Sequence, residues 1–205
     1  MSENSKNIIL SSFGFRSPIV CEKYRKLLPP ADILKEKTCI IIPFASANES
    51  LTGRLEKEAM VAFGFSPDKV SIAESNETFD WGNNPPDYIY VPGGDSFGLL
   101  NKISASMRKD IKDVVLTGKT AYIGVSAGAY LAGTDIEYVT IFEDNNFKKT
   151  DYAGLGLIAE KPICHAEHYP YMMIEQCKSF SATRVFLLRD DQVVVYKGDD
   201  WTYQR

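Results

Sequence analysis

The chain has 205 residues, of which 44% are hydrophobic and 24% charged; that is apolar enough for a sizeable core and excludes disordered, collagen-like and coiled-coil classes. Its 23 Lys+Arg against 27 Asp+Glu give a formal net charge of -4, so the clustered positive charge that nucleic acid or an anionic membrane surface requires is missing. The length fits a single domain over residues 1–205.

Residues 1–6 are polar and lead into a short apolar run at 7–11, too short for a secretory signal or a membrane span. Further short runs rich in β-branched residues follow at 38–43, 69–73, 87–91 and 120–125. In Cys39-Ile40-Ile41-Ile42 successive residues are apolar, which suits a strand covered on both faces in a parallel sheet. Helix-like segments lie between these runs, at 49–63 before the stop Gly64-Phe65-Ser66-Pro67, at 97–103, and at 106–116 ahead of Gly118. The polar stretch 75–86, with Asn83, Asn84, Pro85 and Pro86, reads as a loop. Alternating strand and helix predict a doubly wound, mostly parallel α/β sheet flanked by helices. Past residue 134 the pattern changes. Residues 136–141 read as a strand and 143–151 as a polar loop, while 184–188 and 193–196 read as a terminal antiparallel hairpin joined by Asp190-Asp191-Gln192.

Cys21, Cys39, Cys164 and Cys177 form no C-x-x-C pair, and four is sparse for a disulfide scaffold of this length, so reduced thiols in a soluble cytoplasmic protein are expected. The two histidines, His165 and His168, are three residues apart, which gives histidine chemistry a single address. With Cys164 they offer at most three crowded metal ligands and no second cluster, so neither a metal nor another cofactor is expected.

The sharpest motif is Gly124-Val125-Ser126-Ala127-Gly128, directly after the apolar Ala121-Tyr122-Ile123 and before the helix-forming Ala129-Tyr130-Leu131-Ala132. A G-x-S-x-G at a strand-to-helix turn lifts a serine hydroxyl clear of the sheet end, where the Ala127 N–H faces a developing oxyanion. The plainer alternative is a serine that caps a helix. A second turn, Gly93-Gly94-Asp95, also follows a strand and precedes a helix. In a parallel sheet such turns converge on one crevice, so Gly93, Gly94 and Asp95 are expected to line a substrate site, with Gly94 giving a second oxyanion N–H. A purely structural or phosphate-binding turn is the competing reading.

The segments Tyr90-Val91-Pro92-Gly93-Gly94-Asp95-Ser96-Phe97 and Ile123-Gly124-Val125-Ser126-Ala127-Gly128-Ala129, followed by Ala153-Gly154-Leu155-Gly156-Leu157 and then His165, resemble the peptidase E family of serine peptidases. The resemblance spans most of the chain. It implies a class I glutamine amidotransferase-like fold, Ser126 as nucleophile and His165 as its base. In that family a Glu shortly before the last strand pairs with the histidine, and the matching position here is Gln192. Gln192 can hold the histidine tautomer but cannot stabilise an imidazolium by charge, and Glu143, Asp144 and Glu167 are the alternative orienters.

The family's substrate-binding Arg after the histidine is absent as well: 166–173 reads Ala-Glu-His-Tyr-Pro-Tyr-Met-Met. A pocket lined by Tyr169, Tyr171 and Met172 suits apolar or aromatic groups, unless those residues are core of a helix running to Cys177. The expectation is a serine hydrolase acting on short peptides or related amides, as a monomer or a homodimer. The alternative is a family member with an impaired triad, serving as a small-molecule binder or regulator.

Overall fold

The computed structural model describes residues 7–74, 79, 81, 84–179, 184–198 and 200–204; the polar start at 1–6 and most of the predicted 75–86 loop lie outside the described residues. In chain order the elements are β1 (Asn7–Ser11), α1 (Pro18–Leu27), α2 (Ala31–Leu34), β2 (Cys39–Ile41), α3 (Glu49–Phe63), β3 (Val70–Ile72) and β4 (Tyr88–Val91). Then come α4 (Ser96–Lys102), α5 (Ala105–Leu116), β5 (Ala121–Val125), α6 (Ala127–Leu131), β6 (Lys161–Ile163), α7 (Tyr171–Ser179), β7 (Val185–Leu187), β8 (Val193–Lys197) and β9 (Asp200–Gln204).

A seven-stranded sheet has the order β3-β2-β4-β5-β1-β8-β9. Its first five strands are parallel, while β8 runs antiparallel to both β1 and β9. The continuous apolar runs are explained by burial on both faces. On β1, Ile8 and Leu10 enter one core cluster and Ile9 the other, and Ile40 and Ile41 on β2 divide in the same way. Val20 and Tyr24 of α1, Leu34 of α2 and Met60 and Phe63 of α3 cover one face. Leu99 and Leu100 of α4, Ile111 of α5, Leu131 of α6 and Cys177 of α7 cover the other. Helices α4 and α5 each start one residue before the periodicity suggests, because caps fix their ends. The Asp95 carboxylate accepts the Gly98 N–H at 2.8 Å, and the Ser104 hydroxyl accepts that of Met107 at 3.1 Å.

Two expectations for the C-terminal third are corrected. Residues 136–141 form no strand; Glu137–Ile141 is a 3₁₀ helix. The exposed positions, Glu137 and Thr140, recur three apart, and the Thr140 hydroxyl donates back to the Glu137 carbonyl at 2.7 Å, a period of three that outweighs β-branched composition. The chain does end in an antiparallel hairpin, but its strands are β8 and β9. Strand β7 instead pairs in parallel with β6 in a separate two-stranded sheet.

The turn from β5 into α6 packs against β4 so closely that a Cβ on Gly128 would overlap the Val91 carbonyl oxygen. Gly128→Ala is therefore expected to cost about 1–3 kcal/mol through overpacking, read as a lower urea midpoint with unchanged slope. Gly198→Ala, with open space around its Cβ and φ of 65°, should cost less, about 1–2 kcal/mol from the left-handed backbone alone.

Candidate active site

The carboxyl ends of β1, β4 and β5 meet at one cavity of about 580 Å³, the crevice where parallel sheets place ligands. Ser12, Phe13 and Gly14 come from the segment after β1, Gly93 and Gly94 from the turn after β4, Ser126 from the turn after β5, and His165 from the segment after β6. Ser126 has φ 49° and ψ -108°, a conformation L-residues rarely adopt, at a cost of about 1–3 kcal/mol. The strain of the turn sits on the serine, and its flanking glycines are needed for space: a Cβ on Gly124 would lie 2.6 Å from the Gly128 carbonyl oxygen. Gly93 packs on the serine itself, since a Cβ there would lie 3.0 Å from the Ser126 Cβ.

Ser126 Oγ is 3.2 Å from His165 Nε2, and His165 Nδ1 is 2.6 Å from Asp190 Oδ1. A carboxylate can only accept. Nδ1 therefore carries the hydrogen, and Nε2 is left to accept the serine hydroxyl. Burial raises the Asp190 carboxyl, but hydrogen bonds from His168 and His165 outweigh it and hold the group below its usual 3.8. His165, like Ser126, has left-handed backbone, with φ 55°.

The end of β1 ties these parts together. The Ser11 carbonyl accepts the Ser126 N–H at 2.9 Å. The buried Ser12 hydroxyl accepts the His165 N–H at 2.9 Å and donates to the Leu188 carbonyl at 3.0 Å, just before Asp190. Neither serine stood out in the sequence, because a hydroxyl satisfying two backbone groups leaves no spacing signature.

Of the expected residues, Ser126, His165, Gly93 and Gly94 line the cavity, and Ala127 opens α6 beside it. The Asp95 side chain is spent on capping α4. The carboxylate on His165 is Asp190, in place of the expected orienters. Gln192 turns back to accept the Arg189 N–H at 3.0 Å. Glu143 accepts from the N–H and hydroxyl of Ser96, both at 3.0 Å, while burial raises its carboxyl above the usual range. Asp144 is exposed. Glu167 accepts the Asp190 N–H at 2.9 Å, behind the carboxylate and off His165. Asp190 would have been found from the pairing of β6 with β7. Ile163 lies opposite Leu187, so residues two beyond the first and three beyond the second leave the same sheet edge.

The apolar pocket is corrected too. Tyr171 and Met172 are 72% and 81% exposed, and Tyr169 packs on the Phe142 ring. Helix α7 turns Ile174 and Cys177 inward instead. Charge enters the cavity from other elements. Arg16 and Ser17 line it, as do Tyr90 and the buried Glu56 of α3. Glu56 accepts the Tyr90 hydroxyl at 2.8 Å and lies 3.7 Å from the Arg16 guanidinium. Burial raises its carboxyl against these partners. Cys164, considered as a metal ligand, is buried and donates to the Ser126 carbonyl at 3.9 Å, and all four cysteines are free thiols.

The profile of peptidase family S51 matches residues 10–203. An uncharacterized peptidase of Listeria monocytogenes serovar 1/2a is 32% identical over 149 residues, 70% of this chain and 72% of that protein. One from Listeria innocua is 29% identical over 178 residues, 78% and 85% of the two chains. Among solved structures, a Listeria monocytogenes EGD-e protein described as a candidate peptidase E superposes with TM-score 0.74 at 22% identity, covering 98% of each chain. A peptidase from an acI-B1 Actinobacterium superposes with TM-score 0.70 at 18% identity, covering 98% of this chain and 88% of that one. Among the described residues no helix is long and apolar enough to cross a membrane.

Ser12→Ala leaves the His165 N–H without its acceptor inside the fold. A loss of about 1–3 kcal/mol in unfolding free energy is expected, measured by urea denaturation, and Ser12→Thr, which keeps the hydroxyl, should recover part of it.

Proposed function

Because the chain belongs to peptidase family S51 and is a serine peptidase, we propose that residues 1–205 act as one peptidase domain, cleaving short peptides or related amides through Ser126, His165 and Asp190. The observation that carries the reading is the unbroken hydrogen-bond chain from Ser126 Oγ through both ring nitrogens of His165 to Asp190. Ser126 Oγ attacks the scissile carbonyl carbon as its proton passes to His165 Nε2. The oxyanion forms beside the N–H groups of Gly94 and Ala127; as the first residue of a helix, Ala127 has an N–H with no intrahelical acceptor. His165 returns the proton to the leaving amine, which departs. Water, deprotonated by His165, then releases the acyl group from Ser126.

Asp190 bears on the choice between an active and an impaired protein. A Gln orienter would fix only the tautomer, whereas a carboxylate also stabilises the imidazolium formed at each proton transfer. The alternative of a non-catalytic binder rested on a missing acid, and Asp190 removes that ground. For substrate class, Arg16 and Glu56 put charge of both signs on the cavity wall, which favours peptides with polar or charged groups over purely apolar ones.

A fluorophosphonate probe should label the wild-type protein at Ser126 and leave Ser126→Ala unlabelled; a folded wild type that resists labelling would sink the reading. With a hydrolysed dipeptide found from a library, Asp190→Asn should lower kcat by about 10⁴-fold, while Gln192→Ala should stay within about threefold of wild type. Equal losses in the two variants would return the orienting role to Gln192.

A further inference from the structure

The chain's two histidines both bond to one carboxylate. Asp190 gives Oδ1 to His165 Nδ1 at 2.6 Å and Oδ2 to His168 Nε2 at 2.7 Å, and its own N–H donates to Glu167 Oε1 at 2.9 Å. The His168 N–H also donates to the His165 carbonyl at 2.9 Å, closing the turn that carries both rings. His165 is three-quarters buried as a side chain, whereas the His168 side chain is 62% exposed. One imidazole thus faces the nucleophile and the other faces water, with a shared acceptor between them.

We propose that His168 is a positioning residue, which holds the Asp190 carboxylate against His165 and, by exchanging a proton with solvent, makes the strength of that support depend on pH. The proposal rests on the roles given above to Ser126, His165 and Asp190. Since Asp190 can only accept, His168 Nε2 already carries the hydrogen it shares, and proton uptake takes place at its Nδ1. Neutral His168 leaves the full charge of Asp190 to stabilise the His165 imidazolium. Protonated His168 forms an ion pair with Asp190 and draws on the same charge.

The carboxylates that face His168 act in one direction, against its desolvation. Its hydrogen bond to Asp190, with the negative charges of Asp190 and Glu167, raises it above the usual 6.5. Arg189 and Asp191, on the same turn as Asp190, lie 3.8 Å from each other, and the neighbouring His165 ring has its centroid 6.5 Å away. His168 is therefore protonated from a higher pH than a free imidazole as pH falls through the neutral range.

The test is the second-order rate of fluorophosphonate labelling at Ser126 across pH, for wild type, His168→Gln and His168→Phe. Wild type should lose rate in two steps on the acid side. His168→Gln, which keeps a donor without a titrating charge, should hold the plateau rate within about threefold and lose rate in one step. His168→Phe, which has no donor, should drop the plateau by about tenfold. If wild type is labelled and all three proteins share one profile, His168 has no such role and the proposal falls while Ser126 remains the nucleophile. If both variants lose plateau rate equally, with an unchanged profile and a lower unfolding midpoint, His168 is structural only and the proposal falls again. A folded wild type that is not labelled at all overturns this inference together with the reading it rests on.

Discussion

The two serines at the end of β1 are the constraint on which the site depends. Strand β1 is central in the main sheet, between β5 and β8, and buried along most of its length. Where it ends, Ser11 holds the Ser126 backbone through a carbonyl and Ser12 holds the His165 backbone through a hydroxyl. The Ser11 hydroxyl is in turn fixed to the buried Tyr24 hydroxyl at 2.7 Å. Ser126 follows a strand of the main sheet, while His165 and Asp190 follow the two strands of the small sheet. Ser12, which touches both the His165 N–H and the Leu188 carbonyl, ties the two bodies directionally, alongside the Tyr203 hydroxyl that donates to the Leu187 carbonyl at 2.8 Å; apolar packing alone is non-directional. Serine–histidine geometry needs a directional tie, and the Ser11 carbonyl and the Ser12 hydroxyl provide it.

A second feature is the concentration of acidic groups behind the base. Asp190, Glu167 and, earlier in the chain, Glu143 each have a distinct set of donors. Asp190 takes two imidazoles, Glu167 takes a backbone N–H, and Glu143 takes Ser96. These pairings explain why several carboxylates can lie near one site while only one reaches the histidine. Proximity in sequence to the histidine was a poor guide, because Glu167 is two residues from His165 yet bonds the backbone of Asp190, whose carboxylate meets the ring.

What was legible in the sequence was whatever local pattern decides. Strands β1, β2, β4 and β5 were marked by runs apolar on successive residues and β3 by the shorter Val70-Ser71-Ile72, while α3 was marked by its spacing and its glycine stop. The elbow at Ser126 was recognisable because its glycines are demanded by backbone contacts that no other residue fits. What was illegible depended on pairing across the chain. The 184–188 and 193–196 runs look like a hairpin, since nothing local says that β7 prefers β6, 24 positions earlier in register (Lys161 opposite Val185). That one pairing carries Asp190 to the histidine and leaves Gln192 in the turn. The charge of the cavity was hidden for the same reason. Arg16 and Glu56 are unremarkable in a loop and in a helix, and become wall residues only when the segment after β1 and helix α3 meet Tyr90 of β4 at the cavity.

Ser126 and His165 both stand in left-handed backbone, at φ 49° and 55°, where glycine rests without penalty. Replacing either residue by glycine would remove a side chain proposed to take part in the reaction and relieve backbone strain in the same step. On the proposed reading, such a change would inactivate the protein with a gain in backbone freedom from strain set against the lost contacts of the side chain, which for His165 are the bond to Asp190 and the edge contact with Phe13. In a lineage where selection on the reaction relaxed, the scaffold would outlast its chemistry, and descendants with an intact sheet and cavity but glycine at these two positions are the form that such decay would take.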